Sequence, residues 1–94
     1  MSAKRAADLE RRRDVRMAVY TRDPYCRLAG VAAAGPCGGP WTPHHLKKSG
    51  QGGSYSEANL VGLCATHNTW VEDNPDDARA LGLVVKPWEP EPTG

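Results

Sequence analysis

The sequence predicts a small α+β domain held together by bound metal. First, all three cysteines and all three histidines of the 94-residue chain fall between Cys26 and His67. Second, the chain has ten Gly and eight Pro but no Phe and no Ile, so it is short of core material. Domains this small bury a modest share of their surface and commonly need a disulfide or a metal. Third, a helix-forming run precedes two short apolar runs and further helical segments. Three cysteines cannot all pair internally. With histidines interleaved in a chain that is not expected to be exported, metal ligation is the better reading. The clustering suggests two metal sites, one that holds the fold and one that does chemistry.

The elements follow in order. Residues 4–21 lack Gly and Pro and are rich in Ala, Arg, Leu and Glu, which predicts a basic N-terminal helix. Leu9, Arg13, Met17 and Tyr20 share one face at three- and four-residue spacing. Arg11, Arg12 and Arg16 fall elsewhere, toward solvent or a nucleic acid, and Pro24 ends the helix. Residues 28–40 are small and loop-like, with a role in spacing and none in packing. Residues 41–46 predict a short strand carrying His44 and His45, and residues 49–54 a flexible loop. Residues 60–63 read as the returning strand of a hairpin. Residues 65–73 read as a helix with His67 and Asn68 in its first turn. Asn74-Pro75-Asp76-Asp77 starts a short C-terminal helix over 75–82, with Asn as N-cap and acids against the dipole. Gly82 closes it. Leu83 to Lys86 could form a last strand, and residues 87–94 are a Pro-rich tail. Trp41, Trp70 and Trp88 are expected in packing, since so few aromatics do not make a base-stacking platform.

The formal net charge of +1 hides an asymmetry. Residues 1–27 balance at +4, residues 28–56 at +2, and residues 57–94 at −5. Charges more than about 10 Å apart are screened from one another in salt, so the halves do not cancel locally. The basic half suits a phosphate backbone. No apolar run of about 20 residues offers a membrane span, and the charged N-terminus lacks an apolar signal core. A cytoplasmic monomer with no membrane partner is expected.

The string His44-His45, then Asn59-Leu60-Val61-Gly62-Leu63-Cys64, then His67-Asn68 resembles the HNH endonuclease motif. Arg22-Asp23-Pro24-Tyr25-Cys26 resembles the segment before the family's first zinc ligand. Trp70-Val71 with Asn74 to Ala80 resembles the small HNH proteins of phages and prophages. The likeness covers roughly residues 11–86 and implies a ββα-metal, treble-clef-like fold with a zinc knuckle. Carried over position by position, it implies His45 as general base, His44 as ligand of the catalytic ion, and Asn59 as the residue that steadies the loop and orients the base. The family's helix usually opens Cys-x-x-Cys-His. Here His67 and Asn68 take the last two places, so Asn68 becomes the second ligand of the catalytic ion. An amide oxygen suits magnesium or manganese. Cys26, Cys37, Cys64 and His67 would close a tetrahedral structural zinc site. The ten residues between Cys26 and Cys37 are wider than the two usual in such knuckles, and loop closure tolerates this because its cost grows slowly with length. His44 and His45, adjacent on a strand, should point to opposite faces unless Pro43 distorts the strand end. The implied activity is hydrolysis of phosphodiester bonds in duplex DNA, with Lys47, Lys48, Arg12 and Arg16 as DNA contacts and phage packaging or recombination proteins as further partners. The rival is a zinc-stabilised nucleic-acid-binding module without turnover, and a third reading is a protein-interaction zinc domain.

Overall fold

The computed structural model describes residues 2–93. Its regular elements are helix α1 (Ala3–Arg22), strands β1 (Trp41–His45) and β2 (Leu60–Cys64), and helices α2 (Ala65–Asp73) and α3 (Pro75–Ala80). This is a small α+β fold with a single antiparallel strand pair, in register Trp41↔Cys64 through His45↔Leu60.

Helix α1 begins where the Ser2 hydroxyl accepts the Arg5 N–H at 3.2 Å, a side-chain cap on an otherwise orphaned donor. Most of the helix is exposed, and Val19 is its buried residue. The expected face meets the domain only at its C-terminal end. Leu9 and Met17 are about half exposed or more, Tyr20 packs edge-on against Trp41 with centroids 5.1 Å apart, and beside that face Arg12 lies over the Tyr55 ring and Arg16 over Trp41. Guanidinium groups on aromatic faces gain cation–π attraction while their stems cover apolar surface. Arg11 adds a hydrogen bond to the Tyr55 carbonyl at 2.8 Å. These arginines are exposed, as expected, yet their stems also reach across to the domain.

Asp23 joins α1 to the sheet. Its N–H donates to the Val19 carbonyl, its carbonyl accepts from Trp41 Nε1 at 2.9 Å, and its buried carboxylate accepts the Gly62 N–H at 3.2 Å. Gly62 has to be glycine, because a Cβ there would meet the Trp41 indole and the Asp23 carbonyl. Pro43 stands opposite Gly62 in β1, at the free edge where a missing N–H costs no ladder bond.

Every residue of β2 is buried, and α2 starts directly from its end. The core comprises Leu28, Ala34, Val61, Leu63, Val71, Ala78 and Leu83. Leu28 and Ala34 correct the reading of residues 28–40 as spacer alone, since a turn and a 3₁₀ segment at Ala32–Ala34 fold them onto β2 and the later helices. In α3, Pro75 takes the first turn with Asp76 and Asp77, but the Asn74 side chain does not cap it. The Asn74 amide donates back to the Trp70 carbonyl at 2.9 Å, because the same residue terminates α2. Gly82, at φ +79°, turns the chain out of α3. Residues 83–86 form no strand. A single backbone bond, from Val85 N–H to the Leu46 carbonyl at 2.8 Å, joins them to the end of β1.

The C-terminal segment is docked. Lys47 Nζ donates to the Glu89 carbonyl at 2.6 Å, and Arg79 pairs with the Glu89 carboxylate. Arg79 and the Lys86 N–H hold that carboxyl down at about 2. Trp88 is 78% exposed, against the expectation that it packs. No described helix is long and apolar enough to cross a membrane.

Candidate functional site

Cys64 ends β2 and caps α2, so Cys64 and His67 sit on one strand-to-helix turn. Cys26 and Cys37 reach them from either end of the folded insert. The four ligand atoms lie within 4.8 Å of one another. His67 Nδ1 is 3.1 Å from Cys26 Sγ and 3.5 Å from Cys37 Sγ. A tetrahedral zinc with about 2.3 Å bonds to sulfur and about 2.0 Å to nitrogen needs donors spaced by roughly 3.5–3.8 Å, so the widest pairs would close slightly and the Cys26–His67 pair would open slightly. His67 Nε2 donates to the Gly35 carbonyl at 2.9 Å, which fixes the tautomer and leaves Nδ1 as the ligand. The Gly38 and His67 amides donate to Cys64 Sγ at 3.5 and 3.4 Å. The wide insert thus supplies the Gly35 carbonyl that orients His67, and Gly38, directly after Cys37, supplies an amide to Cys64.

Desolvation and the Cys26 and Cys64 sulfurs push the Cys37 thiol up to about 11. Burial opposes ionisation of Cys64 too, but the two amides and the neighbouring thiols draw its pKa down overall. Crowded sulfurs resist becoming anions together, and a bound cation removes that resistance. Three soft donors and an imidazole in a closed cluster are compatible with structural zinc.

An open cleft of about 560 Å³ is lined among others by His44, His45, Lys48, Asn68 and Glu72, of which Asn68 follows His67 in α2. His44 is buried, and its Nε2 donates to the Leu83 carbonyl at 2.8 Å, leaving Nδ1 as the ring's acceptor. His45 is half-buried with its ring edge-on to Tyr55, centroids 5.6 Å apart. Desolvation lowers its pKa below the ordinary histidine value, His44 and Arg12 lower it further, and Glu91 opposes them. The two imidazoles take different neighbours, as adjacent strand residues should, yet both border the cleft because it wraps the end of β1.

Asn68 Nδ2 donates to Thr42 Oγ1 at 2.9 Å, and that hydroxyl donates on to the Leu63 carbonyl. Among the described residues Asn68 Oδ1 makes no hydrogen bond, so it remains available. Asn59 is fully buried and is not among the cleft's lining residues. Its Oδ1 accepts the Lys47 N–H at 3.0 Å, and its Nδ2 donates to the Lys47 and Ser54 carbonyls at 3.0 and 2.9 Å. It clamps the loop between the strands. Of the two lysines, Lys48 borders the cleft and Lys47 turns to the C-terminal segment. Arg12 and Arg16 sit on α1 over Tyr55 and Trp41, and neither lines the cleft.

Comparisons with protein-family models, curated proteins and solved structures return no match. The chemistry of the site therefore rests on its own geometry. Glu72 is the residue that sequence reasoning missed. It stands four residues after Asn68, on the same helix face, and its carboxylate pairs with Lys48 Nζ at 2.8 Å across the cleft. The i, i+4 spacing was the available signal.

Proposed function

We propose that this chain is a metal-dependent endonuclease of the HNH kind, with a ββα-metal core, that hydrolyses phosphodiester bonds of duplex DNA. The observation that supports it best is that His44, His45 and Asn68 border one open cleft, while His67, the residue before Asn68 in α2, belongs to a Cys₃His cluster. In this reading Cys26, Cys37, Cys64 and His67 hold a structural zinc. His44, through Nδ1, and Asn68, through Oδ1, hold a magnesium or manganese ion. That cation supplies charge neutralisation at the phosphodiester oxygens. His45, braced by Tyr55, accepts the proton of the attacking water, a role worth roughly 10²–10⁴-fold. Lys48 leaves Glu72 to pair with substrate phosphate. Asn59 acts through the loop it clamps, as a positioning residue. A phage setting, with packaging or recombination partners, extends the same reading.

One observation favours the rival of a zinc-stabilised nucleic-acid-binding module without turnover. Among the described residues, the cleft gathers no group of three His, Cys, Asp or Glu side chains close enough to share an ion. Supercoiled plasmid incubated with magnesium or manganese separates the two. Metal-dependent appearance of relaxed circles supports the nuclease. Salt-sensitive binding without relaxation supports the module.

A further inference from the structure

The loop that Asn59 clamps carries a second oxyanion-binding feature, and the chain's own C-terminal segment fills it. The Glu91 carboxylate accepts the Ser54 N–H at 3.2 Å through one oxygen. Its other oxygen accepts the Ser54 hydroxyl at 2.6 Å and lies 3.5 Å from the Ser56 hydroxyl. One amide and two hydroxyls, 3.0 Å apart, thus surround a single charged group with two equivalent oxygens.

The surroundings favour an anion. Arg22 borders the same hollow, Arg12 lies over the ring of the intervening Tyr55, and Arg11 donates to the Tyr55 carbonyl. Lys47 is held nearby at the Glu89 carbonyl. The opposing charges are Glu57 on the rim, Asp23 paired with Arg22, and Asp8 paired with both Arg11 and Arg12. The site is also fixed in place, because Asn59 holds the Ser54 carbonyl. Its position matters most, since the residue between the two serines is the one whose ring braces His45. A group bound at Ser54 and Ser56 is therefore one side chain away from the proposed general base.

The geometry points to Ser54-Tyr55-Ser56 as a subsite for a strand phosphate next to the scissile one, with Glu91 standing in for that phosphate in the free protein. A carboxylate and a phosphodiester each present two oxygens sharing one negative charge, so the same donors serve both. The resident segment is stiffened by Pro87, Pro90 and Pro92, which makes its ordering cheap. Its hold consists of a few polar contacts at the protein surface, which a polyanion can displace. This inference rests on the reading of the chain as a DNA-cleaving enzyme, but the subsite can be tested without it.

The zinc-loaded full chain and its Glu91→Gln variant are titrated with inorganic phosphate and followed by the amide resonances of Ser54 and Ser56. In Glu91→Gln both resonances move saturably, and in the wild type they move only at much higher phosphate. Resonances that stay still in Glu91→Gln overturn the subsite. Duplex binding is then measured by fluorescence anisotropy across a salt series. Glu91→Gln binds about tenfold more tightly at low salt, with a salt slope steeper by about one, the effect of one phosphate contact regained. Adding Ser54→Ala and Ser56→Ala removes the gain. Equal slopes in wild type and Glu91→Gln overturn the assignment to a strand phosphate. Phosphate-shifted serines in a chain that binds no duplex uphold the subsite and overturn the DNA reading.

Discussion

Replacing Asn59 with alanine tests the internal design of the site. The Asn59 amide is fully buried and makes three hydrogen bonds: one accepted from the Lys47 N–H and two donated, to the Lys47 and Ser54 carbonyls. At about 0.5–1.5 kcal/mol each, their loss costs about 1.5–4.5 kcal/mol. Ser54 is exposed and Lys47 half-buried, so water reaches the freed groups and holds the cost to about 2–3 kcal/mol. A domain has only about 5–15 kcal/mol in total, so the variant still folds. Urea unfolding of the zinc-loaded proteins, followed by circular dichroism, reads this directly. Asn59→Asp is the control. It keeps the acceptor, loses both donations, and sets an anion against two carbonyls, so it should be at least as damaging. Hydrogen exchange at Lys47 and Ser54 should accelerate in both variants. A shift below about 0.5 kcal/mol with unchanged exchange would refute the clamp.

Chelation of the zinc-loaded protein should abolish its cooperative unfolding transition. Structural zinc in small modules is worth roughly 10–16 kcal/mol, against a total of about 5–15; a metal-free chain with an intact transition contradicts the Cys₃His site. Gly62→Ala should cost about 1–3 kcal/mol in urea unfolding, because the new methyl meets the Trp41 indole and the Asp23 carbonyl. Arg22 first, then the Gly62 amide, draw the Asp23 carboxyl below its ordinary value although burial opposes them. Its stabilisation is therefore complete above about pH 3.9 and is lost as pH falls through the lower folded value. The stability gap between wild type and Asp23→Asn should be about 1–2 kcal/mol near neutrality, because Arg22 is 41% exposed and its share is screened. Measured by urea midpoints of the zinc-loaded proteins, that gap should stay constant between about pH 6 and 8, where Asp23 is ionised in the folded and the unfolded chain alike, and a gap that drifts with pH in this range would contradict the lowered Asp23 value.

The helices were legible because their signals are local. Residues 4–21 hold no breaker, Pro75 and its acids mark a start, and Gly82 marks a stop. The metal cluster was legible because its residue types are scarce elsewhere in the chain. What stayed hidden depends on distant partners. Nothing near Asp23 says that it will accept from Gly62, 39 residues on. Arg12 and Arg16 are exposed as read, but polarity alone does not reveal the aromatic faces they also cover across the fold. Leu28 and Ala34 looked like spacer because small residues count as core only once a neighbour is packed on them. Leu83 to Lys86 has strand composition but forms a single backbone bond with the end of β1, and composition does not report pairing. The docking of Glu89 and Glu91 on the loop was hidden for the same reason.

The plasmid-nicking rate of zinc-loaded His45→Ala, set beside that of the wild type with magnesium or manganese, tests the nuclease reading most directly. The expected result is relaxation slowed by about 10²–10⁴-fold with duplex affinity retained. Equal rates in the two proteins, or a metal-supplied wild type that binds duplex and never cuts it, would contradict it.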